Sequence, residues 1–146
     1  MGTIRDIADR DIRAYNTRDD ALVVADVTDD IEVAVTGNMT IRGKSELVQF
    51  NKNWQEAFPD SKLTARAVHD AGTVGIIEGT FTGTQTGVFH TPMGDIPPTN
   101  KSVSGEYIQV FELRGDKVAK GRLLFDRMDL MEQLGLVPAA AGAATS

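Results

Sequence analysis

Few side chains here could do chemistry, and most of them are amides and hydroxyls. The chain has two histidines, His69 and His90, and no cysteine. Disulfides, thiolate catalysis and Cys-ligated zinc are therefore excluded, and two isolated histidines make a poor metal cluster. No HExxH, P-loop, dinucleotide fingerprint or nucleophile elbow falls in a fitting context, so the expected site needs neither metal nor cofactor. What remains is a set of polar residues on otherwise apolar faces. Tyr15 lies on the apolar side of the first helical stretch. Asn51 sits between Phe50 and Trp54, Gln85 opposite a row of threonines, and Gln109 between Tyr107 and Phe111. An unpaired polar group in an apolar setting costs about 1–3 kcal/mol. Each one therefore either bonds to nearby backbone or converges with the others on a ligand. Trp54, Phe58, Phe81, Tyr107, Phe111 and Leu123 would supply the apolar wall. The titratable candidates for acid–base work are Glu78, His90 and Asp126, since a carboxyl in an apolar pocket can exchange protons near neutrality. Parity puts Glu106 on the face opposite Gln109, and a helix cap is the simpler reading of Asp126.

The elements that must position these groups follow from periodicity. Thr3–Thr17 reads as a helix with Ile4, Ile7, Ala8, Ile12 and Tyr15 roughly on one face. A short helix is expected over Ala21–Val27, with Asp20 as its cap, and strands over Ile31–Thr36 and Thr40–Gly43. Ser45–Phe58 is a third helix, closed by Pro59-Asp60. Leu63–His69 and Val74–Gly87 are strands. In the second, Thr80, Thr82, Thr84 and Thr86 alternate with Phe81, Gly83, Gln85 and Gly87, so one face is small and the strand can bend around a cavity. Thr91-Pro92, Gly94-Asp95 and Pro97-Pro98 break the ladder. Val103–Leu113 and Lys117–Phe125 form a hairpin about Arg114-Gly115-Asp116, and a last helix runs Arg127–Leu134 to Gly135. Helices interleaved with strands, then a run of strands, give an α+β fold with helices on one face of a mixed or antiparallel sheet.

Composition narrows the partners. A chain of 146 residues, 41% of them hydrophobic, suits one domain with a real core, expected over residues 1–137. The Ala/Gly-rich stretch 138–146 has nothing to bury and is expected to be disordered. A net charge of −6 argues against nucleic acid and anionic membranes as partners. The charged start MGTIRDIADRD has no apolar core like that of a signal peptide, so the expected location is cytoplasmic. The outward sheet face would carry Ile108, Val110 and Leu124, an apolar patch that predicts a homodimer.

Several of these stretches resemble a known family. GTFTGTQTG followed by IPPT, AYNTRD, RGKSELVQFNKNWQEAFPD, SGEYIQVFELRGDKV and MEQLGL, in this order and spacing, are similar to the SnoaL-like polyketide cyclases of the NTF2-like superfamily. The resemblance implies a cone-shaped curved sheet wrapped by three to four helices around an apolar pocket. It implies cofactor-independent ring closure on a polyketide, as in antibiotic biosynthesis. In the aromatic-polyketide members a His and an Asp on the last hairpin form the acid–base pair. Those two positions fall on Gln109 and Leu123 here, and neither can transfer a proton. Tyr15 and Asn51 match positions that orient the substrate in some members. Three readings follow. One is a cyclase driven by shape, for instance a [4+2] cycloaddition aided by Gln109, Asn51 and Tyr15. Another is an aldol-type cyclase whose base lies elsewhere. The last is a non-catalytic binding or accessory protein. All three rest on a greasy, nearly uncharged chamber.

Overall fold

Ile4, Ile7, Ala8, Ala14 and Tyr15 recur at helical spacing and are all buried on one side of α1 (Thr3–Thr17). The computed structural model describes residues 3–137. The expected tail, 138–146, lies outside the described residues. After α1 come α2 (Asp20–Val23), β1 (Val27–Val35), β2 (Met39–Arg42), α3 (Gly43–Ala57), β3 (Lys62–Asp70) and β4 (Val74–Thr84). Then follow β5 (Phe89–Thr91), β6 (Gly94–Ile96), β7 (Ser102–Arg114), β8 (Lys117–Phe125) and α4 (Arg127–Gln133). The cap of α2 is Asp19, whose carboxylate accepts from the Leu22 N–H, one residue earlier than expected. No helix among the described residues is long and apolar enough to cross a membrane.

Six strands form one sheet in the order β2-β1-β8-β7-β4-β3. Every pairing is antiparallel except β1 with β8, so the architecture is a mixed α+β sheet covered by helices, as expected. Register shifts in β3 near Ala65, in β8 at Ala119 and in β1 bend it. The inner face of β4 runs Gly75, Ile77, Gly79, Phe81 and Gly83, and the threonines face out. Small residues inside are matched by large ones on β7. Gly79 pairs with Tyr107 and Gly75 with Phe111, and both aromatic rings lie over the glycines.

β4 ends at Thr84, three residues before the expected Gly87. The Gly87 N–H donates to the Ala57 carbonyl at 3.1 Å, which draws the chain off the sheet and onto the end of α3. The segment read as a plain connection contains a small hairpin, β5–β6, turning at Pro92-Met93. Two buried clusters flank the open space inside. One joins α1 to the sheet through Ile4, Ile7, Ile77 and Phe111, and the other joins α3 to α4 through Phe58, Phe89, Leu130 and Leu134.

α1 is tied to the edge strand β3 by an amide acting as a strand. Asn16 donates to the Leu63 carbonyl at 2.9 Å and accepts from the Leu63 N–H at 2.8 Å. Arg18 adds bonds to the Pro59 and Ser61 carbonyls. α4 is fastened in the same way. Gln133 accepts from the Ser104 N–H at 2.8 Å and donates to the Ser104 carbonyl at 2.9 Å.

Candidate active site

Between sheet and helices lies a cavity of about 180 Å³. Its walls come from both sides. α1 contributes Ile7, Asp11 and Tyr15, and α3 contributes Phe50, Asn51 and Trp54. The sheet supplies Phe81, Tyr107, Gln109, Phe111, Leu123 and Phe125. Tyr107, Gln109 and Phe111 share one face of β7 by strand alternation. Leu123 is directly opposite Gln109 in the β7–β8 register.

Trp54 anchors the aromatic wall. Its ring lies 4.8 Å from Phe89, 5.3 Å from Phe81, 5.6 Å from Phe125 and 5.8 Å from Phe58, centre to centre. These are edge-on, tilted and stacked contacts that fix the indole. Tyr15 borders the cavity while its hydroxyl is held by Ser61 Oγ at 2.7 Å, and burial pushes its ionisation above the usual value.

The structure brings together Tyr15, Asn51, Trp54, Phe81, Tyr107, Gln109, Phe111 and Leu123, with Asp126 at the border, and it sets Phe58, Gln85, Glu78 and His90 apart. Phe58 is fully buried in the α3–α4 cluster, behind Trp54, and does not line the cavity. Gln85 is also fully buried and is a loop organiser instead of a ligand contact. Its Nε2 lies 3.1–3.2 Å from the carbonyls of Gly87, Ile96 and Pro97, and its Oε1 accepts from Thr99 Oγ1 at 2.8 Å. Both were expected in the wall. A residue on the inner side of a strand faces the core as readily as a cavity, and only the path of the chain beyond Thr84 decides between them.

Two of the three expected acid–base candidates lie away from the cavity, and the third is engaged as a helix cap. Glu78 is on the outer sheet face, paired with His69, which holds its carboxyl below the ordinary range. His90 is exposed on the β5–β6 hairpin and pairs with Asp95 at 2.7 Å. Asp126 borders the cavity but caps α4, accepting from the Asp129 N–H at 2.9 Å. Glu106 lies opposite the outward-facing Thr80 in the β4–β7 register, and its exposed carboxylate is engaged by Arg66.

A carboxyl not among the expected site residues also lines the chamber, that of Asp11. It lies one turn from both Ile7 and Tyr15, so the i, i+4 spacing carried the signal. It is half-buried and lines the cavity. Burial is the main force on it and pushes its pKa up from 3.8 to about 6. The Gln109 amide, facing it, pulls the other way, and the charge of Asp26 adds to the rise. Asp26 itself is gripped by Arg10 through two bonds of 2.7 and 3.0 Å. Tyr107 completes the group. Its hydroxyl is buried without a hydrogen-bond partner, and burial together with the Asp11 charge drives its ionisation far upward. The expected uncharged chamber thus has the Asp11 carboxyl, the Asn51 and Gln109 amides and the unpartnered Tyr107 phenol among its lining groups. Among the described residues, no group of three His, Asp or Glu side chains is placed to hold a metal ion.

The comparisons with known proteins agree on the fold. A protein put forward as a SnoaL-like polyketide cyclase from Jannaschia sp. CCS1 superposes with a TM-score of 0.82 at 19% identity, covering 93% of this chain and 94% of its own. AclR from Streptomyces galilaeus, put forward as a hydroxylase, gives 0.80 at 19% identity, covering 99% of this chain and 88% of its own. IdmH from Streptomyces antibioticus, put forward as a polyketide cyclase, gives 0.73 at 18% identity, covering 90% and 97%. No curated protein matches the chain. The family model described as SnoaL-like polyketide cyclase matches residues 5–134, from the first turns of α1 to the end of α4. With nearly the whole described chain inside that match, and a curved sheet and helices enclosing the cavity the resemblance implied, the protein belongs to the SnoaL-like polyketide cyclase family.

Proposed function

We propose that this protein is an enzyme of natural-product assembly in the cytoplasm that closes a carbon–carbon ring in a flexible polyketide, with Asp11 moving the proton. The observation that carries this reading is the Asp11 carboxyl inside an apolar cavity, with no cation on it and Gln109 and Tyr107 beside it. A carboxyl near pKa 6 suits proton exchange at neutral pH. The carboxylate takes a proton from a carbon next to a carbonyl. The C–H electron pair becomes the double bond of an enolate, and the negative charge moves to oxygen. An amide nitrogen carries two N–H donors, so Gln109 can face Asp11 with one and the enolate oxygen with the other. The enolate carbon then attacks a second carbonyl of the same guest, and Asp11 returns its proton to the new alkoxide. Trp54 and its neighbours hold the chain folded, which supplies orientation.

This reading places the base on α1, across the cavity from the two hairpin positions where the family pair falls on Gln109 and Leu123. The test is ring closure of a linear poly-β-carbonyl ester, followed by chromatography and NMR. Asp11→Asn is expected to lower kcat by roughly 10²–10⁴-fold. The wild-type rate should rise with pH along a limb near 6. A flat pH profile with full activity in Asp11→Asn, and loss only in Trp54→Ala, would instead support closure by shape alone. A guest returned unchanged by the wild type would mark a binding protein.

We also propose a homodimer. Ile76, Ile108, Val110 and Leu124 sit together on the outer sheet face by register, and Leu124 is 41% exposed. The pairs Arg66–Glu106 and His69–Glu78 border that patch.

A further inference from the structure

Two carboxyls line the same side of the cavity, Asp11 on α1 and Asp26 just before β1. They are held differently. Arg10 grips Asp26 through Nε at 2.7 Å and a terminal nitrogen at 3.0 Å, in a partly buried pair. Among the described residues no cation pairs with Asp11. Successive side chains leave a helix about 100° apart. Arg10 therefore reaches the junction of α2 and β1 while Asp11 turns to the cavity. The backbone of that junction is pinned to β8. The Asp26 carbonyl accepts from the Val118 N–H at 2.7 Å, and Lys117 Nζ donates to the Ala25 carbonyl at 3.2 Å.

An ion pair is a dipole, and this one is oriented. Asp26 lines the cavity and Arg10 does not, so the negative end is turned inward. The nearer charge of a pair outweighs the farther one, the more so where the dielectric is low. We propose that Asp26 is a positioning residue for Asp11: the Arg10 clamp fixes its negative charge toward the cavity, where it sets how firmly Asp11 keeps its proton. The inference deepens the function proposed above and rests on Asp11 being the group that moves the proton. The other ionisable groups around the chamber are accounted for. Tyr15 is bonded to Ser61, and Tyr107 on β7 is held neutral by burial. The lining residues of α2, β1, α3 and β8 are all neutral. At the α4 border Asp126 caps the helix, Asp129 accepts from Gln133 at 2.8 Å, and Glu106 is engaged by Arg66. Asp26 is the one whose charge adds to burial in strengthening the hold of Asp11 on its proton. Two carboxyls of one site, set in unlike surroundings, can then divide the work, the clamped one supplying charge and the free one exchanging the proton.

The test needs no substrate. Protein labelled with carbon-13 at the aspartate carboxyls is titrated by NMR as wild type, as Asp26→Asn, and as the double variant Arg10→Gln with Asp26→Asn. The Asp11 signal is the one missing from Asp11→Asn. The double variant removes both charges of the pair, so no buried charge is left alone and no freed Arg10 can swing onto Asp11. In both variants Asp11 is expected to titrate about 0.5 to 1 pH unit lower, an affinity for the proton about three- to tenfold weaker. A clamp that merely joins α1 to β1 would lower Tm and leave the Asp11 titration where it was, and that result in the folded double variant would overturn the proposal. A fall in Asp26→Asn alone would trace to the freed Arg10 and would overturn it too. Where ring closure is measured, its pH limb should move down with the Asp11 titration in the same variants. If the titration moves but no substrate cyclises, the coupling of Asp26 to Asp11 stands and the cyclase reading falls.

Discussion

A Cβ built on Gly79 would stand 2.5 Å from both Cε1 and Cζ of the Tyr107 ring, its neighbour across the β4–β7 ladder. The ring lies flat on bare backbone, and this brings the Tyr107 hydroxyl into the cavity. Gly79→Ala should therefore lift the ring and overpack the wall. The expected cost is about 1–3 kcal/mol, read as a lower Tm. Gly105→Ala is the control, since nothing lies within 4 Å of a Cβ there and the two positions share the same strand pair. Equal Tm values for the two variants would disprove the close approach.

Asp11 makes a prediction about stability that needs no substrate. Its pKa is about 6 in the folded protein, against 3.8 for an ordinary aspartate. The folded state thus binds this proton more tightly than the unfolded chain. The resulting stabilisation is complete below pH 3.8 and is lost as pH rises through 6. The difference between those two values corresponds to about 3 kcal/mol. Asp11→Asn should melt higher than wild type at pH 8 and lack the decline between pH 4 and 7. Asp30 acts in a separate window. Arg114 holds its pKa at about 2, so its contribution is present above 3.8 and disappears as pH falls toward 2.

Gln85 should prove structural. Gln85→Leu would strip partners from the Gly87, Ile96 and Pro97 carbonyls and from Thr99. The expected result is a loss of about 1–3 kcal/mol and faster amide exchange at Asn100, which donates to the Gln85 carbonyl at 2.8 Å. Unchanged exchange would return Gln85 to the list of ligand contacts.

The outer sheet face offers a direct check of assembly. Sedimentation at micromolar concentration should give a dimer for wild type and a monomer for Leu124→Glu. A wild-type monomer would remove the homodimer from the proposal.

Much of this was legible in the sequence because strand alternation and helix spacing are local properties. α1 and β8 fall on the residues the periodicity gave, and Tyr107, Gln109 and Phe111 turn to the same side as parity required. The misreadings have a common physical origin. Gln85 keeps the strand alternation and Phe58 the helical spacing of true wall residues, and their burial depends on where α3 ends against Gly87. Asp11 was hidden for a different reason. An aspartate among Asp9, Arg10 and Arg13 looks like part of a solvated helix face. Only the position of β7 opposite α1 reveals that this one points inward. Glu78 and His90 could be assigned a side by parity but not a distance from the cavity, and both lie outside it.

The parallel pairing of β1 with β8 constrains how the chain reaches this shape. Val33 meets Gly121, and the Thr36 N–H donates to the Leu123 carbonyl at 2.9 Å, so one edge of the sheet waits for residues made almost a hundred positions later. During synthesis β1 can pair with β2 as soon as both have left the ribosome, but its other edge has no partner until the last hairpin arrives. Truncation before Phe125 would leave a polypeptide that aggregates instead of a smaller folded unit.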